Sequence, residues 1–561
     1  MLYKEKEGKD RKSPDCNAMR LLLIQPPVED FYDTDIRLQP LGLCMLKAAV
    51  KKHLPHIEVI VRDYHQGHGR KTIALPTELS YLRPYYPYPD YSPFSMFHQY
   101  YHFGATFEEA GRDAAGLRPD IVGISSLFSP YYREALACAE EIKKRLDVPI
   151  IMGGSHVSAS PLSILKDRNV DYIIRGEGER PLVEFLRAFQ SKGPFENVPN
   201  LGFKINGEPF LNQMGAPYDI NDLPLADLSD LPTDRYLFEK RPICFLTTSR
   251  GCPHKCSFCS VRITFGEKFR RRSLENVLAE IKKRYTEGYR VFDFEDDNLS
   301  FNREDFRALL NRLIKEFPQG GLRLVAMNGI SYISLDSEIL GLMKKAGFSH
   351  LNISLVTANA DVLLKVRRPH TLEKYLEVVK CAHALGLEIV SYQILGLPYE
   401  TLEDITATMA IMATLPVLMG VSIFYLTPGC PMTDDFPCMT ESDILKSRST
   451  AMAIETGQFR RSDLYTLFIT ARIINFIKGI ETGGKKVTFM EALDTAAGQG
   501  KRSKTGTEIL RLIFEEKVLY AATKKGLRPL PCFKTDLFFK VWNELDSIMT
   551  QDGAIIDISS P

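Results

Sequence analysis

The chain has 561 residues, 44% of them hydrophobic and 25% charged. That balance is ordinary for a globular protein whose cores need neither disulfides nor metals to fold. With 71 Lys and Arg against 70 Asp and Glu, there is no bulk electrostatic case for nucleic acid or anionic membrane as a partner.

At roughly 100–200 residues per domain, this length predicts about three to five domains. Residues 1–18 form a charged tail, and Met1–Asp15 has no apolar stretch of the kind a secretory signal needs. From 19 to 190, short apolar runs alternate with helical patterns. The runs are Leu21–Ile24, Ile57–Val61, Asp120–Ile124, Pro149–Met152 and Tyr172–Ile174, with a helix such as Arg133–Leu146 between. Nearly continuous apolar strands joined by helices predict a doubly wound parallel sheet covered on both faces. An aromatic, proline-rich insertion, Tyr81–Phe103, interrupts it. Two readings of the insertion stand level: a loop packed on its own rings, or a cover for a flat cofactor or substrate.

Residues 191–241 are expected to be a linker, with a small hairpin at Gly202–Pro209 turning on Asn206-Gly207. From 242 to 436 the alternation resumes. Strands are expected at Ile243–Thr248, Val291–Phe294, Leu322–Ala326, Leu351–Ser354, Glu388–Leu395 and Val421–Leu426. Helices are expected at Leu274–Tyr285, Glu304–Lys315 and Tyr375–Leu385. Ser273 is placed to cap the first of these. Six β/α units fall short of the eight of a closed barrel, so a partial (β/α)6 barrel of TIM type is expected. The short basic strip Lys268–Arg272 reads as a solvated lead-in to a helix. The apolar stretch Ile411–Leu426 is broken by Pro416 and Gly420, which makes it a helix end, a turn and a strand, not a membrane span. Residues 437–561 are expected to be an α-rich domain, with helices at Asp463–Ile480 and Glu508–Lys524. No transmembrane segment is expected, and a cytoplasmic location follows from that reading.

Eight of the eleven cysteines are scattered and read as small buried hydrophobes. Three are clustered in Ser249-Arg250-Gly251-Cys252-Pro253-His254-Lys255-Cys256-Ser257-Phe258-Cys259, directly after the first barrel strand. That position is where α/β folds build active sites. Three thiolates so close can wrap one compact metal centre, and iron–sulfur clusters are held by thiolates. Structural zinc needs a fourth ligand, and His254 sits inside the first cysteine spacing, where folding back onto the same ion is awkward. Unrelated core cysteines are the other alternative, but Pro, Lys and Ser between them do not suit a core.

Cys252-x-x-x-Cys256-x-x-Cys259, with Phe258 before the last cysteine, resembles the signature of the radical S-adenosylmethionine (SAM) superfamily. The resemblance implies a 4Fe–4S cluster on these three cysteines. SAM would bind the fourth iron and be cleaved to a 5′-deoxyadenosyl radical. It implies SAM contacts from Phe258, from Asp296, Asp297 and Asn298 after the second strand, from Thr357 after the fourth, from Gln393 on the fifth, and from Gly396 in Gly396-Leu397-Pro398-Tyr399-Glu400-Thr401. Val356 stands where the family has Glu. Pro428-Gly429-Cys430-Pro431 is similar to the family's turn after the sixth strand.

The first domain's strand ends carry Leu41 and Gly42; Ser125, Ser126 and Leu127; Gly153, Gly154 and His156; and Gly176 and Glu177. Glycines there permit close approach to a large ligand, although each alone is also what a tight turn needs. In this order, before the cysteine motif, they resemble the cobalamin-binding domain of cobalamin-dependent radical SAM enzymes. The resemblance implies cobalamin bound at those residues. Many such domains carry a His after the first strand as lower cobalt ligand, but Gln25–Leu41 contains none. His65 is expected to be a surface loop residue. The family implies a methyltransferase acting on an unactivated carbon or on phosphorus. The alternatives are a cobalamin-dependent cyclase or oxidative rearrangement enzyme, and a non-catalytic cobalamin and SAM sensor. A small-molecule or lipid-like substrate and a reducing partner such as flavodoxin or ferredoxin are expected.

Overall fold

The computed structural model of the protein describes residues 19–32, 39–317 and 320–559; the charged segment 1–18 lies outside them. The first sheet holds five parallel strands: β1 Arg20–Gln25, β2 Glu58–Asp63, β3 Ile121–Ser125, β4 Ile150–Gly153 and β5 Tyr172–Ile174. Their spatial order is 2-1-3-4-5. Leu21, Leu22 and Ile24 of β1 are wholly buried, as a strand covered on both faces requires. The order reverses between β1 and β3, which opens a crevice at the carboxyl ends of the strands. A hairpin, β6 Leu201–Ile205 and β7 Glu208–Leu211, extends this sheet antiparallel to β5. Asn206 and Gly207 turn it at φ 53° and 86°, the left-handed pair that a tight hairpin needs.

The second unit has six parallel strands: β8 Arg241–Leu246, β9 Val291–Phe294, β10 Arg323–Val325, β11 His350–Val356, β12 Glu388–Leu395 and β13 Leu418–Ile423. They form two runs of three joined by a single bridge between Leu324 and Phe348. The barrel stays open. Ser273, Asn302, Thr371 and Thr401 each cap an outer helix by accepting a backbone N–H in its first turn. The free edge of β13 is covered by the helix Arg461–Lys478. Asn475 donates to the Met419 carbonyl (2.7 Å) and accepts from its N–H (2.9 Å), so one side chain satisfies the edge strand as a further strand would.

The C-terminal region is helical with small β pieces. The expected helix Glu508–Lys524 runs instead over Lys501–Glu516. Lys517 adopts φ 59°, and Tyr520–Thr523 pairs with Gly526–Pro529 as a hairpin. The left-handed turn at Lys517 stops the helix, and the aromatic at Tyr520 begins a strand.

The aromatic insertion binds the first domain to this C-terminal region. Tyr81 and Tyr86 donate to the carbonyls of Ala451 (2.7 Å) and Thr450 (2.8 Å). Tyr85 meets Tyr465 edge-on, and Phe94 meets Phe476. His65 is not on the surface: it is fully buried, its N–H donating to Asp63. The strand Tyr100–Phe103 covers it, with Phe103 edge-on to the ring, a contact made by distant sequence.

Candidate active site at the junction of the two sheets

After β8 the chain runs into the cysteine loop. Ser249–Arg250 pairs antiparallel with Arg270–Arg271 and closes the loop at its base. Gly251 adopts φ 81°, and a Cβ there would lie 2.6 Å from the Lys268 carbonyl, so the first turn of the loop requires glycine. Cys252, Cys256 and Cys259 are partly buried free thiols. Burial pushes Cys259 up to about 11, and the neighbouring Cys256 and Cys252 add to the shift. Burial raises Cys256 as well, opposed by the Arg368 guanidinium beside it. A bound cation would favour the Cys256 and Cys259 thiolates that burial disfavours. Among the described residues no three His, Cys, Asp or Glu side chains converge on a single ion. A polynuclear cluster takes each thiolate on a different iron.

The segment after β9 holds this loop. Asp296, almost wholly buried, accepts from the Thr248 N–H (3.0 Å), the Thr248 hydroxyl (2.7 Å) and the Ser249 hydroxyl (2.5 Å). Its carboxylate faces the loop's own donors. Asp297 accepts from the Gly251 N–H at 2.9 Å, and burial pushes its carboxyl up to about 6. Asn298 directs its amide at Cys252 Sγ (3.5 Å), and its buried Oδ1 has no protein partner. The far side is pinned by two backbone bonds, Ser257 N–H to the Val366 carbonyl and Met432 N–H to the Ser257 carbonyl. Phe258 packs on an apolar group containing Val356, Leu397, Cys430 and Met432. Val356 itself sits at a bulge of β11 with φ 69°, a costly conformation for a β-branched residue.

Thr357 and Gln393 are fully buried. Gln393 donates to the Ile405 carbonyl (2.9 Å) and leaves its Oε1 without a protein partner. Gly396, at φ 84°, presents its α-carbon to Leu464, where a Cβ would lie 2.9 Å away. Glu400 in the same turn accepts from the Leu397 N–H (3.0 Å) and stands beside Thr357. Burial pushes its carboxyl up to about 8, opposed by the hydrogen bonds from Thr357 and the Leu397 N–H. The turn motif contains Glu400, but only the fold reveals that its carboxylate is sealed from water.

Across from this loop lies the carboxyl edge of the first sheet. Gly154, at φ 121°, would place a Cβ 2.5 Å from the Ser126 carbonyl, so the loops after β3 and β4 stack in direct backbone contact. Ser126 keeps a buried hydroxyl without a protein partner. Leu41 is buried at the start of its helix, and Gly42 is exposed with open space beside it. His156 is buried against Tyr132, with Nδ1 3.1 Å from the Ser129 hydroxyl. Burial lowers it to about 4, which makes it a neutral core imidazole.

A cavity of about 560 Å³ opens here. Its walls include Leu127, Phe128 and Ser155 from the first domain, Ser260 beside Cys259, Tyr425 and Thr427 after β13, and Arg448. Of the ten first-domain positions expected at a ligand, Leu127 alone lines it. Glu177 turns instead to the cysteine loop, bonding Arg250 (2.7 Å) and Arg270 (2.8 Å). Lys268 is exposed, but the arginines of the basic strip are not solvated: Arg270 meets Glu177, Arg271 meets Asp305, and Arg272 meets the buried Glu280. Packing against distant carboxylates, invisible in local sequence, draws these arginines inward.

Residues 246–412 match the Radical SAM superfamily, and residues 98–186 match the B12 binding domain. The chain therefore carries a radical SAM domain preceded by a B12-binding domain. This radical SAM chain is 28% identical over 309 residues to an uncharacterized methyltransferase of Pyrococcus horikoshii, covering 54% of this chain and 66% of that protein. It is 23% identical over 420 residues to the cytidylyl-2-hydroxyethylphosphonate methyltransferase of Streptomyces wedmorensis, covering 68% and 73%. Its fold is similar to that of the cobalamin-dependent S-adenosylmethionine radical enzyme OxsB, with a TM-score of 0.60, 14% identity and coverage of 94% and 78%. The family's cofactors are a 4Fe–4S cluster, SAM and cobalamin. The residues present fit them: three free thiols in one loop, and unpartnered buried oxygens on Asn298, Gln393 and Ser126.

Proposed function

We propose that this radical SAM enzyme is a cobalamin-dependent methyltransferase acting on an unactivated carbon or phosphorus centre of a small-molecule or lipid-like substrate. One observation carries the reading: a single cavity has Ser260, next to Cys259, on one wall and the strand-end loops of the B12-binding domain on the other. A ligand there meets both halves of the site. The methyltransferase names of the Pyrococcus and Streptomyces relatives support the same reading.

When bound, the cluster and SAM supply a hydrogen-abstracting 5′-deoxyadenosyl radical and cobalamin supplies a methyl group. Cys252, Cys256 and Cys259 would hold the cluster. Asp296 and Asp297 fix the loop that presents them, through the Thr248, Ser249 and Gly251 donors. Asn298 and Gln393 offer free amide oxygens to the SAM ammonium and hydroxyls, and Phe258 supplies an apolar wall. The loops at Ser125–Leu127 and Gly153–Gly154 would carry cobalamin, while Glu177 is committed to Arg250 and Arg270. Arg448, the ionised side chain of the cavity wall, is paired with Asp30 at 3.2 Å. The remaining walls are aromatic rings, aliphatic side chains and hydroxyls, suited to an uncharged or lipid-like substrate.

Anaerobic purification with metal, sulfide and cobalamin analysis tests this. The expected result is about four irons per chain, as a 4Fe–4S site requires, with bound cobalamin. Reduced enzyme given SAM labelled with a trideuterated methyl group should form 5′-deoxyadenosine and a product heavier by that methyl group. Zinc in place of iron, or a product that has lost hydrogens or gained oxygen, overturns the reading.

A further inference from the structure

Arg250 and Arg270 stand directly opposite each other in the two-stranded ladder that closes the cysteine loop. Like charges in register across a β pair repel, and both side chains are largely buried, with 7% and 14% of their surface exposed. Within the loop Arg270 finds the Phe265 carbonyl (3.3 Å) but neither arginine finds a carboxylate. The counter-charges come from the other domain, on the segment after β5. Glu177 bonds Arg250 at 2.7 Å and Arg270 at 2.8 Å; Glu179 bonds Arg250 at 2.5 Å and accepts from the Tyr218 hydroxyl. Both carboxylates are buried, at 8% and 6% exposed. Two cations and two anions thus form a neutral buried set, in which each domain contributes one sign alone. Neither half can be buried without the other, because an unpaired charge out of water is far costlier than a paired one.

We infer that Glu177 and Glu179 are positioning residues that close the cluster-binding loop from the B12-binding domain, so that the loop takes its ligand-holding shape only when that domain is docked. A second contact supports this. Gly176, at φ 68°, packs so closely on the helix Val261–Phe265 that a Cβ would lie 3.3 Å from the Thr264 carbonyl, and Thr264 donates to the Ser155 hydroxyl at 3.1 Å. Strand-end loops of the B12-binding domain therefore grip the cysteine loop at both ends. Occupancy of one site and order in the other are linked, and such linkage is reciprocal. The inference rests on the reading of the three cysteines as cluster ligands, but its main test does not.

Hydrogen–deuterium exchange of the full, iron-free chain under reducing conditions reads the order of residues 249–272 directly. Glu177→Gln should speed exchange there at least about tenfold, with β8–β10 unchanged. Glu177→Gln combined with Arg270→Gln should return exchange toward wild type, because the opposed charges are gone and Arg250–Glu179 remains balanced. In iron-loaded protein, Glu177→Gln should release iron to ferrozine faster than wild type. Unchanged exchange in Glu177→Gln, or a double variant worse than the single, overturns the clamp. A Glu177→Gln chain that does not fold while the double variant does supports it; failure of both overturns it. Wild type that takes up no iron sinks the cluster reading and leaves the exchange result to decide the clamp.

Discussion

Asn298 shows how much a single side chain can mean at this site. Its position after β9 makes it a SAM contact by resemblance, yet its amide faces Cys252 Sγ at 3.5 Å. With Cys252 holding a cluster, as proposed, an N–H directed at its sulfur stabilises the more negative, reduced state. Asn298→Ala should therefore lower the cluster's midpoint potential by a few tens of millivolts, measured by titration followed by electron paramagnetic resonance. An unchanged midpoint rejects that role. Asp296 carries the opposite lesson, since its charge is answered by Thr248 and Ser249. Asp296 and Asn298 stand two residues apart, and the direction of each side chain separates a brace of the loop from an unpartnered amide oxygen.

At the scale of the element, the turn Gly396–Thr401 couples β12 to its helix through Glu400. The carboxyl is pushed from its ordinary 4.5 up to about 8 by burial. Between those values the folded chain keeps a proton that the unfolded chain has released. Stability from this group is present below about pH 4.5 and falls as pH rises toward 8, by on the order of a few kcal/mol. Glu400→Gln, which stays neutral, should lose less stability than wild type between pH 5 and 8.5 in urea denaturation. Equal losses would show that Glu400 is ionised throughout. The barrel elements were legible because β9 and β12 are short apolar runs bounded by turns, and they fall at Val291–Phe294 and Glu388–Leu395 as expected. The helix expected at Glu508–Lys524 ends at Glu516, because a local pattern does not show the left-handed turn at Lys517.

Across the whole molecule, Arg448 ties the C-terminal region to the first domain. It pairs with Asp30 (3.2 Å) and donates to the carbonyls of Glu29 (2.8 Å) and Pro130 (2.8 Å). Asp30 is fully buried and also accepts from the Tyr131 hydroxyl at 2.7 Å. Arg448→Ala would leave that carboxylate buried without its cation, a loss of about 3–5 kcal/mol. The expected result is an earlier first transition in chemical denaturation; a shift below about 1 kcal/mol would mean that water replaces the guanidinium. The aromatic insertion acts at this scale too, its tyrosines reaching Thr450 and Ala451, and none of residues 81–103 lines the cavity.

The cysteine spacing, the two strand–helix alternations and the glycine-bearing strand ends are local patterns. Local patterns determine which elements form and which chemistry their loops can carry, so sequence alone established the fold class and the placing of three cysteines in one loop after β8. Tertiary structure decided which charges meet. Glu177 facing Arg250 and Arg270, the inward turn of Arg272 to Glu280, and the burial of His65 all join residues far apart in the chain or brought under cover by another element. Buried charges must be answered wherever packing places them, and only the packed molecule shows which residue answers.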